Sequence, residues 1–212
     1  MADPRDQGIQ MKSTRLLLIF YRNPELGKVK TRLAKTVGDV HALSYYQRLA
    51  HHTREVTRHL KADRAVWYSH KIDASDEWPA DQYTKQLQQG DDLGEKMAHA
   101  FAWGFANGYQ SICIIGTDCH ELTTGLLEQA FQHLETREAV IGPARDGGYY
   151  LLGMNTFRPD YFQNKAWSTD TVAKDTIADF QRMSVLYNTL ATLTDVDEEK
   201  DLPDGWQDHL SS

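Results

Sequence analysis

Unbroken apolar runs alternate along this chain with stretches in which apolar positions recur every three or four residues. The first run, 15–21, lacks polar alternation and predicts a strand covered on both faces, as central parallel strands are. From 31 to 60, Leu33, Val37, Ala42, Leu43, Tyr46, Leu49, Ala50, Val56 and Leu60 fall at helical spacing, with Gly38-Asp39 breaking the helix in two. Strands are expected at 65–69 and 83–87, separated by a polar loop, 72–81, that contains Pro79. Gln89-Gly90-Asp91-Asp92-Leu93-Gly94 leads into a helix over 95–106 that ends at Asn107-Gly108. The clearest buried strand is 111–116, and it delivers Thr117-Asp118-Cys119-His120 to its carboxyl end, where open α/β sheets place their chemistry. A helix capped by Thr123-Thr124 and running to about 135 follows, then a strand at 139–143. Arg145-Asp146-Gly147-Gly148 turns into a tyrosine-bearing strand, 149–153. A helix at 171–183, a last strand at 185–193 and the acidic stretch 195–201 complete the pattern, which predicts an α/β fold with a mostly parallel sheet.

At 212 residues and 41% apolar content the chain is sized for one domain. We place it at 13–204, between a polar extension, 1–12, in which Met11 is a second candidate start, and a tail, 205–212. A net charge of −7 excludes a broad basic face for non-specific nucleic-acid binding. Leu16–Phe20 is shorter than the roughly 7 apolar residues a signal peptide requires. A cytoplasmic protein without a membrane span is expected. Cys113 and Cys119 lack metal-ligand spacing and are expected to be reduced thiols.

Charge locates the chemistry. Between residues 22 and 35, Arg22, Lys28, Lys30, Arg32 and Lys35 face one Glu25, a local +4 in a negative molecule. Gly27 permits close backbone approach, and Lys28, Lys30 and Arg32 alternate, so two or three cations can converge on a diphosphate at a strand-to-helix turn. The competing reading is a solvated charge run opening a surface helix. Neither G-x-x-x-x-G-K-[ST] nor a G-x-G-x-x-G after the first strand is present.

Asp118, ending an apolar strand beside this grip, suits a divalent ion that bridges to phosphate oxygens. The alternative role is the N-cap of the next helix, although Thr123 and Thr124 can serve there. His120 is the weaker candidate, since a lone loop histidine usually positions rather than ligates. Asp146-Gly147-Gly148-Tyr149-Tyr150 would let a sugar or base approach the backbone, or is an ordinary tight hairpin. Asp195 and Asp197 share one side of an extended segment and could complete a metal site, or belong to a solvated acidic run. His51, Glu55 and His59 lie at helical spacing without a third strong ligand and read as surface.

The blocks Pro24-x-x-Gly27-x-Val29-Lys30-Thr31-Arg32-Leu33, Asp92-Leu93-Gly94, Gly116-Thr117-Asp118-Cys119, Asp146-Gly147-Gly148-Tyr149-Tyr150-Leu151-Leu152-Gly153, Trp167-Ser168-Thr169 and Asp195-Val196-Asp197 span nearly the whole chain in order. In them the chain resembles a bacterial glycosyltransferase-like family associated with radical-SAM and selenodomain genes, within the nucleotide-diphospho-sugar transferase superfamily. The first block also resembles the loop with which phospholactate guanylyltransferases hold a nucleotide triphosphate. Two departures stand out: Asp118-Cys119-His120 replaces Asp-Cys-Pro, and Arg22 replaces a lysine. A single carboxylate at 118 also replaces the paired Asp-x-Asp of many glycosyltransferases.

The resemblance implies a three-layer α/β/α, GT-A-like fold with a mostly parallel, mixed sheet. It implies that Lys30 and Arg32 meet phosphates, that Asp118 binds Mg²⁺ or Mn²⁺, and that Asp197 is a second ligand. Asp118, Lys30 and Arg32 are then the expected catalytic residues. Nucleotide and substrate contacts are expected from Arg22, Gly27, Lys28, Thr31, Asp92, Gly94, Thr117, Asp146, Gly147, Gly148, Tyr149 and Trp167 as well. Glycosyl transfer from a nucleoside-diphosphate sugar ranks first. Nucleotidyl transfer to a phosphorylated acceptor is close behind, and a non-catalytic nucleotide-binding module is the third reading.

Overall fold

Side chains along β1 (Arg15–Tyr21) point alternately into two cores, and that alternation organises the molecule. A computed structural model describes residues 13–206; the expected extension at 1–12 and the end of the tail, 207–212, lie outside the described residues. Leu17, Ile19 and Tyr21 pack with Tyr46 and Ala50 of α2 (Asp39–Thr57) and with Leu127, Ala130 and Phe131 of α4 (Thr124–Leu134). Leu16 and Leu18 pack instead with Met97, Ala100 and Phe101 of α3 (Leu93–Ala106) and with Ala173 and Phe180 of α5 (Val172–Arg182). Two helical layers therefore sandwich one sheet, as expected. A smaller cluster joins α1 (Thr31–Val37) and α2 to Val196, Leu202 and Trp206.

The remaining strands are β2 (Asp63–Tyr68), β3 (Thr84–Leu87), β4 (Ser111–Ile115), β5 (Ala139–Pro143), β6 (Tyr149–Met154) and β7 (Tyr187–Thr189). Their spatial order is β3-β2-β1-β4-β6-β5-β7. β1 pairs in parallel with β2 and with β4, β5 pairs in parallel with β7, and β6 runs antiparallel to both β4 and β5. After β3 the chain crosses to the other side of β1, so the topology reverses at the β1/β4 boundary, where α/β sheets open a crevice beyond their carboxyl ends. Because β1, β4, β5 and β7 all run the same way, the loops that follow them emerge at one edge. Those are the loops that carry Lys30, Asp118, Asp146 and Asp197.

Most element boundaries match the pattern to within two residues. The last strand does not: the expected 185–193 contains only Tyr187–Thr189 in the ladder. Leu190 and Leu193 still donate their N–H groups to Ile141 O and Pro143 O, so the segment follows β5 without regular pairing.

The polar loop after β2 covers the sheet more closely than its composition suggests. Trp78 is fully buried against Tyr21 and Tyr83, and Lys85 Nζ lies 2.6 Å from Asp76. Beside them the Glu77 carboxyl is pushed up from 4.5 to about 7 by burial, with Arg54 opposing and Asp76 adding to the shift. A raised folded-state value favours the neutral acid, so this contribution is complete below about pH 4.5 and is lost as pH rises through about 7. Glu77→Gln is therefore expected to stabilise the protein at pH 8 by on the order of 2 kcal/mol and to change nothing near pH 4. Urea unfolding of both proteins at the two pH values checks this, and equal midpoints at pH 8 would count against it.

Candidate active site

The grip begins where β1 ends. Arg22 is fixed by Tyr46, whose hydroxyl accepts from Arg22 N at 3.0 Å and donates to Arg22 O at 2.7 Å. Thr117 Oγ1 donates to the same hydroxyl at 3.3 Å, so one buried tyrosine of α2 joins the loops after β1 and β4. Buried Asn23 anchors the next residues, accepting from Ser69 Oγ and donating to Lys71 O. Gly27 turns the loop with φ +72°. Lys30 then precedes α1 in the left-handed region at φ 48°, a conformation that costs a non-glycine residue about 1–2 kcal/mol and persists only where surroundings hold it.

Charge holds its side chain. Lys30 Nζ lies 2.6 Å from Asp118 and 3.3 Å from Asp197, and its side chain is only 5% exposed. Arg32, 61% exposed, reaches the other oxygen of Asp197 at 2.7 Å. Burial works against the ammonium, yet Asp118 and Asp197 outweigh it and the Lys30 pKa is raised. Asp118 caps no helix: Thr123 fills that role for α4, accepting from Leu126 N. The Asp118 carbonyl instead accepts from Val196 N at 2.9 Å, which ties the segment containing Asp195 and Asp197 to the loop after β4.

These groups floor a cleft of about 730 Å³. Its lining includes ten of the expected residues: Arg22, Lys30, Thr31, Arg32, Asp118 and Asp197, together with Asp146, Gly148, Tyr149 and Trp167. The others stand behind the wall or outside it. Thr117 is held under the floor by Tyr46, and Asp92 caps α3 by accepting from Glu95 N at 2.8 Å. Gly94 leaves room for the Trp167 ring, which a β-carbon there would meet at 2.5 Å. Gly147, at φ +91°, backs onto Asp170 in the same way. Lys28 is largely exposed and pairs with Glu25 at 2.7 Å; neither it nor Gly27 lines the cleft.

The structure also brings in residues that were not among the expected contacts, although Leu93 and Ser168 stand inside the sequence blocks that carry the resemblance. Lys96 and Leu93 line the cleft from the first turns of α3, and Phe20, Gln88 and Ser168 also contribute to its wall. Only the i, i+4 relation of Lys96 to Asp92 placed it near a predicted contact. Asp195 faces the same space, its carboxyl pushed up to about 7 by burial and then by the nearby Asp118 and Asp146. His120 lies outside, its ring between those of His52 and Trp206. Both cysteines are buried free thiols.

Among the described residues no group of three or more His, Cys, Asp or Glu side chains is arranged to hold a metal ion. Two carboxylates nevertheless converge on one cation, since Lys30 Nζ touches both Asp118 and Asp197. That donor set fits magnesium, which takes hard oxygens, usually from one or two carboxylates, and completes its shell with water and substrate phosphate.

Residues 52–169 match the family model described as "Uncharacterized protein conserved in bacteria (DUF2064)". Among solved structures, the chain is similar to a provisionally named nucleotide-diphospho-sugar transferase from Desulfovibrio desulfuricans G20. The two are 31% identical with a TM-score of 0.81, over 92% of this chain and 91% of that one. CMP:2-keto-3-deoxy-manno-octonic acid synthetase, in complex with CTP, is 10% identical with a TM-score of 0.52, over 89% of this chain and 95% of that one. The manganese complex of Rv0371c from Mycobacterium tuberculosis H37Rv is 10% identical with a TM-score of 0.53, over 89% and 96%. The last two likenesses are of fold alone. No curated protein matches the chain. No helix among the described residues is long and apolar enough to cross a membrane.

Proposed function

The chain belongs to the DUF2064 family of bacterial proteins, and from that premise we propose that it is a transferase acting on a nucleotide-activated substrate, with glycosyl transfer from a nucleoside-diphosphate sugar as its reaction. One observation carries the proposal: the cationic loop after β1 and the carboxylate after β4 meet in a single crevice, with Lys30 Nζ 2.6 Å from Asp118. A leaving diphosphate needs its growing negative charge met by cations already held in the crevice. Lys30 supplies an ammonium, and Arg32 adds a planar, bidentate donor at the mouth. Asp118 and Asp197 would hold Mg²⁺ or Mn²⁺, which would supply further charge stabilisation to the phosphate oxygens. Trp167 and Tyr149, which also line the cleft, offer flat apolar surface to the sugar or base. Glycosyl transfer is placed first because of the name given to the 31%-identical relative.

Nucleotidyl transfer is the second reading, and the charge of the crevice favours it. Arg22, Lys30 and Arg32 line one end, a cation set that matches a triphosphate, and a phosphorylated acceptor needs no general base. Isothermal titration with nucleotide sugars and nucleoside triphosphates, with and without magnesium, tests both. Magnesium-dependent binding that prefers a diphosphate sugar is the expected result. Preference for a triphosphate would move the assignment to nucleotidyl transfer, binding without any turnover would reduce the protein to a binding module, and no binding of either ligand would overturn the proposal.

A further inference from the structure

We propose that the phosphate grip is self-masked: in the free protein Asp118 and Asp197 occupy the very cations that would bind phosphate, and a divalent ion at those carboxylates releases Lys30 and Arg32. The inference rests on the functional reading above and adds a coupling to it. Lys30 and Arg32 carry two positive charges, and Asp118 and Asp197 carry two negative ones, so the four groups sum to zero. All of them are engaged: Lys30 with both carboxylates at 2.6 and 3.3 Å, Arg32 with Asp197 at 2.7 Å.

A polyphosphate that arrives alone meets no free charge among these four groups, and of the cations lining the cleft only Arg22 and Lys96 lie outside the cluster. It must break charge-assisted contacts, and it leaves two carboxylates facing its own oxygens, with Asp146 and Asp195 also on the cleft wall. A divalent ion reverses each term. It takes over both carboxylates, brings the four-residue cluster from zero to +2, and frees an ammonium and a guanidinium a few ångströms away. The Lys30 side chain, 5% exposed, is turned to the carboxylates and away from solvent. Metal and polyphosphate should therefore bind with positive coupling, each raising the affinity of the protein for the other by the same factor.

Asp197→Asn tests masking in the absence of metal, with Asp146→Asn as the control for mere loss of a negative charge on the cleft wall; an equal gain in the control would overturn masking. The probe is inorganic tripolyphosphate, which carries neither base nor sugar, titrated into wild type and both variants in EDTA and in excess magnesium chloride. With masking, Asp197→Asn binds the probe in EDTA about tenfold more tightly than wild type, the effect of freeing one charged hydrogen bond. Magnesium then tightens wild type far more than the variant. Equal affinities in EDTA, with wild type binding well, would overturn masking and leave the grip intact. No binding by either protein in either buffer would overturn both. A second measurement needs no variant: reductive methylation of Lys30, followed by mass spectrometry, should be slow in EDTA and accelerate with magnesium alone. An unchanged rate would also overturn masking.

Discussion

Asparagine at position 118 is expected to reduce metal-dependent transfer by at least about 10³-fold while the protein stays folded. The first half follows from position. Asp118 stands at the end of β4, within contact distance of the buried Lys30 ammonium, and its neutral isostere keeps the shape and loses the charge that would hold a divalent ion. The second half follows from what the side chain does not do. Thr123 caps α4, and the link to Val196 uses the Asp118 backbone, so neither is lost. Lys30 keeps Asp197 and can still donate to the amide oxygen. The Asp118 side chain is 43% exposed, so the usual cost of about 3–5 kcal/mol for breaking a fully buried pair does not apply. A melting temperature within a few degrees of wild type is expected. Turnover assays across magnesium concentrations and a thermal melt together decide the matter: undiminished magnesium-dependent turnover would remove Asp118 from the metal, and unfolding would make it a structural residue.

The same position shows how far the sequence could be read. An unbroken apolar run needs cover on both faces, which made β1 and β4 recognisable and put Asp118 at a carboxyl end. The reversal of strand order at β1/β4 needed the three-dimensional pairing, because apolar runs say nothing about which strands are neighbours. Lys30 and Arg32 were legible as charges set against the balance of the molecule. Their partners were not, since Asp197 lies 167 residues from Lys30 in the chain and is brought close by the segment after β7, where Val196 bonds to the Asp118 carbonyl and packs against α1 and α2. Lys28 shows the limit of spacing arguments: alternation grouped it with Lys30 and Arg32, but the left-handed turn at Lys30 breaks the extended geometry, and Lys28 pairs with Glu25 outside the cleft. Tyr46 was visible only as an apolar helical position. Its hydroxyl, which joins two loops, had no signature. The ladder of β7 is shorter than the expected strand because Leu190 and Leu193 stay buried while their segment drifts out of regular pairing.

Lys30→Met should give the second large effect, a roughly 30- to 100-fold loss of magnesium-dependent affinity for the nucleotide substrate, the worth of a strong hydrogen bond to a charged group. Methionine fits the buried stem and removes only the charge. The two carboxylates left behind are 43% and 25% exposed, so water can solvate them, and Arg32 retains its contact with Asp197. Stability should therefore change by no more than about 1 kcal/mol, because the desolvation cost of the ammonium disappears together with its ion pairs. The informative comparison is with Arg32→Ala. Arg32 is largely exposed, and a solvated guanidinium loses part of its strength to water and salt, so its removal should cost less, about tenfold. Measured by titration in the same buffer, the order Lys30→Met worse than Arg32→Ala assigns the phosphate to the buried end of the crevice. The reverse order would place it at the mouth, beside Arg32, and the buried ammonium would then serve to position Asp118 and Asp197 instead of touching substrate.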